Sequence, residues 1–556
     1  MRTRSGWNGR TAHDGGYDAI VVGAGSSGAV VAARLAADAA RRVLLLEAGP
    51  ADDHWSIRMP AGGLKNITTG RFNWQYWTEP EPALQNRRLY QPRGRVLGGS
   101  SSLNGMIFVR GNAGDYDGWG VPGWSYAEVL HYFRRLEAHA TIRDAYRGAD
   151  GPVRVVQGSG GNPLYEAFIE AGVQAGYPRT ADTNGFQQEG FGRFDMNVDG
   201  GVRASTAHAY LRRPPHNLTI LTGARATRVV VERGRAVGVE YVRAGARQTA
   251  RADGEIVLAG GAFNSPQLLM LSGIGPADEL RRLGLGVVQD LPGVGRNLHD
   301  HVEVHVDQAC RLPITLYGAM KPMAKLRIGA AWFLTKGGMG ATNHYEAGAF
   351  LRSAAGVRWP DIQIHFVPIC YSSHHDRRAV EHGYRMHIGP LRQTSRGSVT
   401  LASADPLAPP VIRLNVLATE DDLRATLACF ALGREIFAQR AFDPFRGPER
   451  QPGPAANTPS ELEARTRETA VSAYHPCGTC RMGTDDLAVV DPQGRVRGVE
   501  RLRVADASII PQVTSGNLNA PAMMIGEKIA AMMRGEAPLR EDVPVYEPAG
   551  WQARQR

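Results

Sequence analysis

Residues 18–28 read Asp-Ala-Ile-Val-Val-Gly-Ala-Gly-Ser-Ser-Gly, and this stretch decides the fold of the first part of the chain. Its apolar half predicts a buried strand, and the Ala-rich residues 29–38 predict a helix. Residues 42–47, Arg-Val-Leu-Leu-Leu-Glu, predict a second buried strand. The order of strand, glycine-rich turn, helix and strand is that of a βαβ unit, in which the acid Glu47 ends the second strand.

The spacing Gly23-x-Gly-x-x-Gly28 is typical of a dinucleotide site. The glycines allow a tight turn, a close approach of backbone to a pyrophosphate, and close packing of helix on strand. The start of the helix offers free N–H groups to the phosphates. Glu47 can accept hydrogen bonds from a ribose diol and opposes a 2′-phosphate, which disfavours NADP. The motif alone does not separate NAD from FAD. The predicted cofactor-binding residues of this unit are Gly23, Gly25, Ser26, Ser27, Gly28 and Glu47.

A second glycine–serine loop spans residues 93–105, Arg-Gly-Arg-Val-Leu-Gly-Gly-Ser-Ser-Ser-Leu-Asn-Gly. It has no Lys, so it is not a phosphate-binding P-loop, and it lacks the Gly-x-Ser-x-Gly pattern of a serine nucleophile. Small residues here would let the backbone lie against a flat ring system. Residues 260–276 follow a predicted strand and open a helix in the same manner. The second loop adds Gly98, Gly99, Ser100, Asn104 and Gly105 to the predicted cofactor site.

Composition excludes several classes of protein. The 556 residues suggest two to four folding units, and 43% hydrophobic with 21% charged residues excludes a disordered or fibrous chain. The net charge is +10, but only five of the 64 basic residues are Lys, and the Arg residues form scattered pairs. No dense basic stripe marks a nucleic-acid footprint. A solvated surface is the favoured interpretation, with weak attraction to an anionic membrane as the lesser alternative.

Five Cys residues do not make a disulfide framework. Residues 1–16 are polar and lack the apolar core of a signal peptide, and no run of about 18 apolar residues could span a bilayer. A cytoplasmic location is therefore predicted. Peripheral contact with the inner face of the cell membrane and a homodimer are left open.

Three long stretches of the sequence resemble the glucose–methanol–choline (GMC) oxidoreductase family, FAD enzymes that oxidise alcohols. The resemblance runs from about residue 17 to 536, and it is strongest toward the choline-oxidising branch. The stretches are residues 93–105, residues 261–276, and a C-terminal pair that comprises His475-Pro-Cys-Gly-Thr-Cys-Arg-Met-Gly483 and Val504-Ala-Asp-Ala-Ser508 with Ser515-Gly-Asn-Leu-Asn-Ala-Pro521.

The resemblance implies an α/β fold in which a doubly wound FAD-binding domain interleaves with an α+β substrate domain on an antiparallel sheet. The alternating pattern of residues 361–415 independently predicts antiparallel sheet. The predicted limits are 17–155, 215–310 and 480–536 for the FAD-binding domain, 156–214 and 311–479 for the substrate domain, and 1–16 and 537–556 for the tails.

Alcohol oxidation requires loss of the hydroxyl proton and transfer of hydride to flavin N5. Matched to the family, His475 is the predicted base, because an imidazole titrates near neutral pH. Asn519 is the predicted second catalytic residue, which would hydrogen-bond the substrate oxygen. Leu103 stands where some members bind FAD covalently through a His, so non-covalent FAD is predicted. Asp506 in the C-terminal stretch completes the predicted cofactor residues.

Choline, oxidised to betaine aldehyde, is the predicted substrate, and its fixed cation requires a carboxylate or aromatic faces. Glu346 is the candidate carboxylate, Tyr345, Trp74 and Trp77 are candidate cage walls, and His365 is a candidate pocket residue. The alternative is a non-cationic primary alcohol: aliphatic, aryl or polyether. A lyase with a structural flavin is a further reading of the same fold. Oxygen and a quinone are both open as electron acceptors.

Three short patterns could suggest metals or redox chemistry. Cys477-Gly-Thr-Cys480 could be a redox pair or half of a zinc site, but no second pair exists, so both are predicted to be small packing residues. The runs His299-Asp-His301 and His374-His375-Asp376 resemble metal clusters locally. No metal is predicted at either.

Overall fold

The computed structural model describes residues 16–371 and 379–556. In these ranges the strands, numbered in chain order, are β1 Tyr17–Val22, β2 Val43–Glu47, β3 Tyr76–Trp77, β4 Tyr90–Gln91, β5 Ile107–Phe108, β6 Glu137–His139, β7 Val153–Gln157, β8 Gly190–Arg193, β9 Asp195–Met196, β10 Val198–Asp199, β11 Val202–Arg203, β12 Leu218–Thr222, β13 Ala224–Glu232, β14 Arg235–Arg243, β15 Ala246–Leu258, β16 Ile274–Gly275, β17 Gln289–Asp290, β18 Val302–Cys310, β19 Ala347–Leu351, β20 Ile362–Val367, β21 Gly383–Pro390, β22 Ser398–Thr400, β23 Val411–Arg413, β24 Arg446–Gln451, β25 Val471–Ser472 and β26 Leu502–Val504.

The α-helices of the same ranges are α1 Gly28–Leu35, α2 Trp55–Arg58, α3 Gly63–Thr68, α4 Ala113–Gly118, α5 Tyr126–Leu136, α6 Pro163–Gln174, α7 Gly261–Leu271, α8 Ala277–Arg282, α9 Pro322–Thr335, α10 Glu420–Phe437, α11 Pro459–Thr469 and α12 Asn519–Met533. Single turns of 3-10 or π helix add Pro60–Gly62, Pro82–Leu84, Gly99–Ser102, Ala207–Leu211, Gly318–Met320, Gly338–Ala341, Arg440–Phe442 and Ala507–Ile509.

The first sheet has the strand order β12-β2-β1-β15-β14-β13, with β26 paired to β15. Its centre is parallel, while β13, β14 and the first part of β15 form an antiparallel meander. β2 is buried along its whole length, as a parallel strand covered on both faces should be. Helix α1 follows β1 and packs on α12. The predicted βαβ unit is thus confirmed.

The second sheet is antiparallel, in the order β24-β18-β21-β20-β19-β8, with β25 paired to β18. Helix α10 packs on β18 and β21, and α6 packs on β8, β19 and β20. Apolar side chains of these elements form a core that includes Phe168, Phe366, Tyr384, Phe430 and Phe437. The predicted combination of a doubly wound sheet with an antiparallel substrate sheet is therefore present.

One predicted domain limit is wrong. The prediction placed residues up to 310 in the FAD-binding domain, but β18, Val302–Cys310, belongs to the antiparallel sheet. All nine of its residues are buried, and it pairs with β21 along one edge and with β24 and β25 along the other. The chain therefore passes to the second sheet before residue 302. Its partners lie more than 70 residues further along the sequence, so no local pattern marks the change.

Helix α7 follows β15, as the pattern of residues 260–276 predicted. It begins at Gly261. The Asp506 carboxylate accepts hydrogen bonds from the backbone N–H of Gly261, at 2.8 Å, and from the Ser265 hydroxyl, at 2.5 Å. This acceptor satisfies donors at the helix start that lack an intrahelical partner. A residue 245 positions away thus sets the helix boundary.

The segment 537–556 has almost no regular structure but is held against the body of the protein. The Glu541 carboxylate pairs with His131 and Arg134, and the Arg556 guanidinium pairs with Glu435. The segment predicted as a C-terminal tail therefore packs against the rest of the protein through these ion pairs. The other predicted tail is residues 1–16, and all of it except Gly16 lies outside the described residues. Within the described ranges, no helix is both long and apolar enough to cross a bilayer.

Candidate active site

A cavity of about 940 Å³ is lined by residues from both sheets. It brings together residues that are far apart in sequence but were predicted to share one site. The predicted residues that line it are Gly23, Gly25, Ser26, Ser27, Glu47, Trp74, Gly99, Ser100, Asn104, Gly105, Tyr345, His365, His475, Asp506 and Asn519.

Two predicted cofactor glycines, Gly28 and Gly98, lie behind the cavity wall. A Cβ atom at Gly28 would stand 1.9 Å from the carbonyl oxygen of Gly23. The backbone N–H of Gly98 donates to the Ala24 carbonyl at 2.8 Å. A Cβ atom at Gly99, whose φ is +54°, would stand 2.6 Å from the Cα of Gly25. These glycines therefore hold the two glycine loops in backbone contact.

The glycine end of the cavity has the donors that a pyrophosphate needs. Among the described residues, no partner accepts a hydrogen bond from Arg203 Nη2, and Ser27 Oγ has no partner either, although both atoms are buried. Both side chains line the cavity, and α1 begins beside Ser27. Burial lowers the pKa of Arg203 to about 9. A phosphate could be held at the helix start beside Ser27, and Arg203 Nη2 could donate to a further oxygen acceptor in the cavity. Arg203 was not predicted, because one Arg on a two-residue strand gives no sequence signal.

Glu47 lies where the ribose of a dinucleotide is expected. Its carboxylate accepts hydrogen bonds from the backbone N–H groups of Ala24, at 3.0 Å, and Gly49, at 2.8 Å. Burial raises the pKa of Glu47 to about 7. Each carboxylate oxygen still has a lone pair for a diol. The residues at this end of the cavity thus fit an adenine dinucleotide, with Asp506 fixing the start of α7 beside it.

His475 lies in the loop after β25, in the wall of the cavity. The Asp300 carboxylate accepts a hydrogen bond from its backbone N–H at 2.7 Å. The preceding residue, Tyr474, has a φ of +67°, and its carbonyl accepts from Arg93 Nη2 at 2.8 Å. Burial raises the pKa of Asp300 to about 6. These contacts fix the backbone that carries the imidazole.

The hydrogen-bond network assigns the tautomer of His475. The Asn517 Oδ1 atom lies 3.3 Å from both Gln363 Nε2 and His365 Nε2. Since Oδ1 accepts from these groups, Asn517 Nδ2 donates to His475 Nε2, at 3.0 Å. The proton of His475 is therefore on Nδ1, and its Nε2 carries a lone pair.

The partner on the other side of the ring agrees with this assignment. His301 Nδ1 lies 3.0 Å from His475 Nδ1 and accepts a hydrogen bond from its N–H, because His301 Nε2 donates to the Leu391 carbonyl at 3.3 Å. Burial and the neighbouring His301 and His365 hold the pKa of His475 well below its usual value. A neutral imidazole is a general base, and its Nε2 lone pair becomes free for a substrate hydroxyl when the Asn517 N–H turns from it to the substrate oxygen.

Asn519, predicted as the second catalytic residue, lines the cavity but does not contact His475. Helix α12 begins at Asn519, so this residue and Asn517 point to different neighbours. The Asn519 Oδ1 atom accepts a hydrogen bond from Ser26 Oγ at 2.8 Å, which places it with the glycine loop. Asn517 is the residue in contact with His475. The motif Asn-Leu-Asn offered both residues, and only the start of the helix distinguishes them.

A second polar group lines the cavity on the antiparallel sheet. His305, His387 and His365 occupy directly paired positions on the neighbouring strands β18, β21 and β20. The Glu303 carboxylate lies 2.7 Å from His387 Nδ1 and 3.7 Å from His305 Nε2. Glu303, His305 and His387 are of types that could also ligate a metal ion, and their ligand atoms lie within 4.8 Å of one another. The Tyr345 ring stands edge-on to His387, with centroids 5.9 Å apart.

Glu303 was not predicted, although the sequence contains a signal. His301, Glu303 and His305 alternate, and alternate residues of a strand share a face. We treated the start of this run, His299-Asp-His301, only as a local resemblance to a metal cluster. The structure gives His299 a different role, since its Nε2 accepts from the backbone N–H of Val513 at 2.8 Å.

The predicted substrate carboxylate, Glu346, does not line the cavity. It accepts hydrogen bonds from the Ser159 hydroxyl, the Gly160 N–H and the Thr342 hydroxyl, at 2.9, 2.7 and 2.6 Å. Its neighbour Tyr345 does line the cavity. In an extended segment consecutive side chains point to opposite sides, so only one of the two can face the substrate.

Of the two tryptophans predicted as cage walls, only one lines the cavity. Trp74 lines the cavity, but Arg225 and Arg95 lie 5.1 and 5.5 Å from its ring. A ring that already faces two guanidinium groups is a poor site for a third cation. Trp77 is 44% exposed and does not line the cavity. Of the aromatic predictions, Tyr345 alone meets the geometric requirement.

The structure describes the predicted cysteine pair but not the second histidine run. Cys477 and Cys480 are buried free thiols in the core of the first sheet, in agreement with the predicted packing role. The run His374-His375-Asp376 lies outside the described residues.

The comparisons with known proteins agree with this geometry. The family model described as GMC oxidoreductase matches residues 17–303 and 393–526. The chain is 52% identical over 548 residues to the mitochondrial choline dehydrogenase of Homo sapiens, covering 96% of this chain and 92% of that protein. It is 48% identical over 529 residues to the oxygen-dependent choline dehydrogenase of Rhizobium etli, covering 94% and 96%.

Solved structures share the whole architecture. Pyridoxine 4-oxidase from Mesorbium loti superposes with a TM-score of 0.85 at 32% identity, covering 94% of this chain and 100% of that one. Formate oxidase of Aspergillus oryzae superposes with a TM-score of 0.89 at 25% identity, covering 95% and 99%. The chain belongs to the GMC oxidoreductase family and is an FAD-dependent oxidoreductase.

Proposed function

We propose that this enzyme oxidises choline to betaine aldehyde. The observation that carries the proposal is a neutral His475 imidazole and a buried carboxylate, Glu303, in the wall of one cavity. An alcohol base and a counter-ion for a fixed positive charge are the two groups that choline requires. The similarity to choline dehydrogenases over nearly the whole chain supports the same substrate.

At the hydroxyl end, His475 Nε2 accepts the substrate proton. The resulting imidazolium shares its Nδ1 proton with His301 at 3.0 Å and stands beside the developing alkoxide, which it stabilises. Asn517 Nδ2, 3.0 Å from His475 Nε2, is placed to donate to the same substrate oxygen. When bound, FAD supplies the acceptor for the hydride that leaves the carbinol carbon.

At the other end, Glu303 faces the quaternary ammonium. Glu303 follows His301 by two residues in an extended segment, so the two side chains share a face and lie about 7 Å apart along the chain. His475, which contacts His301, and Glu303 both line the cavity. Tyr345 adds an aromatic ring, and the Glu303–His387 contact at 2.7 Å orients the carboxylate.

We further propose that FAD is held without a covalent bond. Leu103 lines the cavity and packs with Ile57, Phe72 and Val96, and an aliphatic side chain offers no atom that could bond to the flavin. Ser27, Arg203 and Glu47 would hold the pyrophosphate and ribose. Acid precipitation of the holoenzyme is expected to leave the yellow colour in the supernatant. Colour that stays with the pellet would contradict this proposal.

The substrate assignment is tested by anaerobic mixing of the holoenzyme with a panel of primary alcohols. Choline is expected to bleach the flavin faster, and at lower concentration, than aliphatic, aryl or polyether alcohols. Preference for an uncharged alcohol would overturn the choline assignment, and no bleaching by any alcohol would favour a lyase. Admitting oxygen or a soluble quinone to the reduced enzyme then identifies the electron acceptor.

The position of Asn517 leads to a testable difference between the two asparagines. Asn517→Ala is expected to lower kcat/KM for choline by about 10²- to 10³-fold, because a donor to the developing alkoxide is lost. Asn519→Ala is the matched control and should weaken FAD retention through the lost Ser26 contact. Steady-state kinetics with saturating FAD separates the two effects. An equal loss of kcat/KM in both variants would contradict the assignment.

The contact between the glycine loops predicts a cofactor defect. Gly99→Ala places a Cβ atom 2.6 Å from Gly25 Cα and forces a positive φ on an L-residue, which alone costs about 1–2 kcal/mol. We expect protein with reduced flavin content and a lower melting temperature. Gly118→Ala, where a Cβ atom meets nothing within 4 Å, is the control. Normal flavin absorbance in Gly99→Ala would show that the loops can separate.

A further inference from the structure

Helix α9, Pro322–Thr335, carries apolar side chains on its outer face. Met323, Leu326, Phe333 and Leu334 are 63%, 65%, 54% and 84% exposed. A surface helix normally turns polar residues to solvent. Here the opposite side is anchored instead by Trp332, which is buried and donates its indole N–H to the Gly201 carbonyl at 2.7 Å.

Neighbouring residues extend this apolar face. The Trp55 ring, 40% exposed, lies 6.1 Å from the Phe333 ring, and Met339 is 42% exposed in the turn that follows α9. We call these six residues, Met323, Leu326, Phe333, Leu334, Trp55 and Met339, the α9 patch. Clustered exposed apolar side chains of this kind mark an interaction surface.

Helix α9 and the two lysines that flank it carry positive charge alone. Residues 321–336 contain Lys321, Lys325, Arg327 and Lys336 and no acidic residue. Three of the five lysines of the chain lie in this segment. Among the described residues, none of these four cations forms an ion pair. Lys336 Nζ instead lies 4.0 Å from the Trp332 ring, and Lys65 Nζ lies 5.7 Å from the Trp55 ring.

We propose that the α9 patch docks the enzyme on the surface of an anionic phospholipid bilayer. Apolar and aromatic side chains with lysines beside them match an interfacial helix, whose apolar face enters the acyl boundary while the cations meet lipid phosphates. A second copy of the chain fits less well, because two patches of four uncompensated cations would repel each other. The positive charge of residues 321–336 thus favours an anionic partner.

The docked orientation would bring the cavity to the membrane. Lys325, Ile328, Phe333 and Met339 all line the cavity as well as belonging to this region. The cavity mouth would therefore open at the bilayer, and an acceptor dissolved in lipid could enter without crossing water. The docking itself does not depend on which alcohol the enzyme oxidises.

The test is sedimentation of the full-length holoenzyme with vesicles. Wild-type enzyme is expected to bind vesicles that contain phosphatidylglycerol, to bind pure phosphatidylcholine vesicles less, and to be released by high salt. The double variant Leu326→Asp/Leu334→Asp is expected to lose at least about tenfold in vesicle partitioning. The double variant Lys321→Gln/Arg327→Gln should lose the preference for anionic lipid. None of these four residues lines the cavity, so choline oxidation with a soluble dye should be unchanged.

Leu487→Asp is the matched control, since Leu487 is 57% exposed outside the patch, and it should bind like wild type. The proposal is overturned if wild-type enzyme stays in the supernatant with anionic vesicles, or if the patch variants bind as well as wild type. It is also overturned if the patch variants only convert a dimer to a monomer in analytical ultracentrifugation without any change in vesicle binding.

Discussion

His475→Gln is expected to lower kcat/KM for choline by about 10²- to 10⁴-fold, the usual contribution of a general base. Glutamine preserves volume and can still hydrogen-bond Asn517, but it cannot accept the hydroxyl proton. The base is poised for this step because burial and the neighbouring His301 and His365 hold the pKa of His475 well below its usual value. The imidazole is therefore neutral at neutral pH.

Flavin absorbance separates a catalytic effect from misfolding in this experiment. His475→Gln should retain the full complement of FAD, because the backbone contact of residue 475 with Asp300 is unchanged. His131→Gln, at a histidine paired with Glu541 outside the cavity, should show unchanged kinetics. A loss in His475→Gln of less than about tenfold would contradict the assignment of the base.

Glu303→Gln is expected to lower kcat/KM for choline by about 30- to 10³-fold. Removing one partner of a buried charge pair costs about 2 to 4 kcal/mol, and this range converts to that loss in rate. The analogue of choline in which carbon replaces the quaternary nitrogen carries no charge, so its kcat/KM should change little. The ratio of the two substrates therefore reports the charge of Glu303 directly.

Glu346→Gln is the matched control, because Glu346 is also a buried carboxylate but bonds to Ser159, Gly160 and Thr342 outside the cavity. Its KM for choline should match that of wild type. Treatment with a chelator tests the other reading of the Glu303, His305 and His387 group. If choline turnover is lost on chelation and restored by a divalent metal, Glu303 holds a metal and not the ammonium.

Local sequence chemistry brought together residues that the structure places in the wall of one cavity. Gly23, Gly25 and Glu47 were placed by a turn, a strand end and their spacing, all within 25 residues. Each of them lines the cavity. His475 was also found, because its identity as a titratable base stands out within a long family-specific motif. These predictions needed no knowledge of which distant segments meet.

The substrate end was predicted less well, because its geometry is set at a distance. Asn517 and Asn519 are both plausible in the motif, and only the start of α12 at Asn519 assigns one to His475 and the other to Ser26. Glu346 and Glu303 are both buried acids. Only the pairing of β18 with β21 brings Glu303 into the cavity wall beside His387.

The sequence by itself determined the class of fold and the glycine turn after β1, and it singled out Glu47 and His475, which both line the cavity, since these follow from backbone sterics and from side-chain chemistry within a few residues. The tertiary structure alone decided that Asn517 contacts His475, that Glu303 and Arg203 line the cavity and Glu346 does not, and that the apolar face of α9 is exposed. Each of these depends on which strands pair and where helices begin, and those outcomes are fixed by contacts between residues that are far apart along the chain.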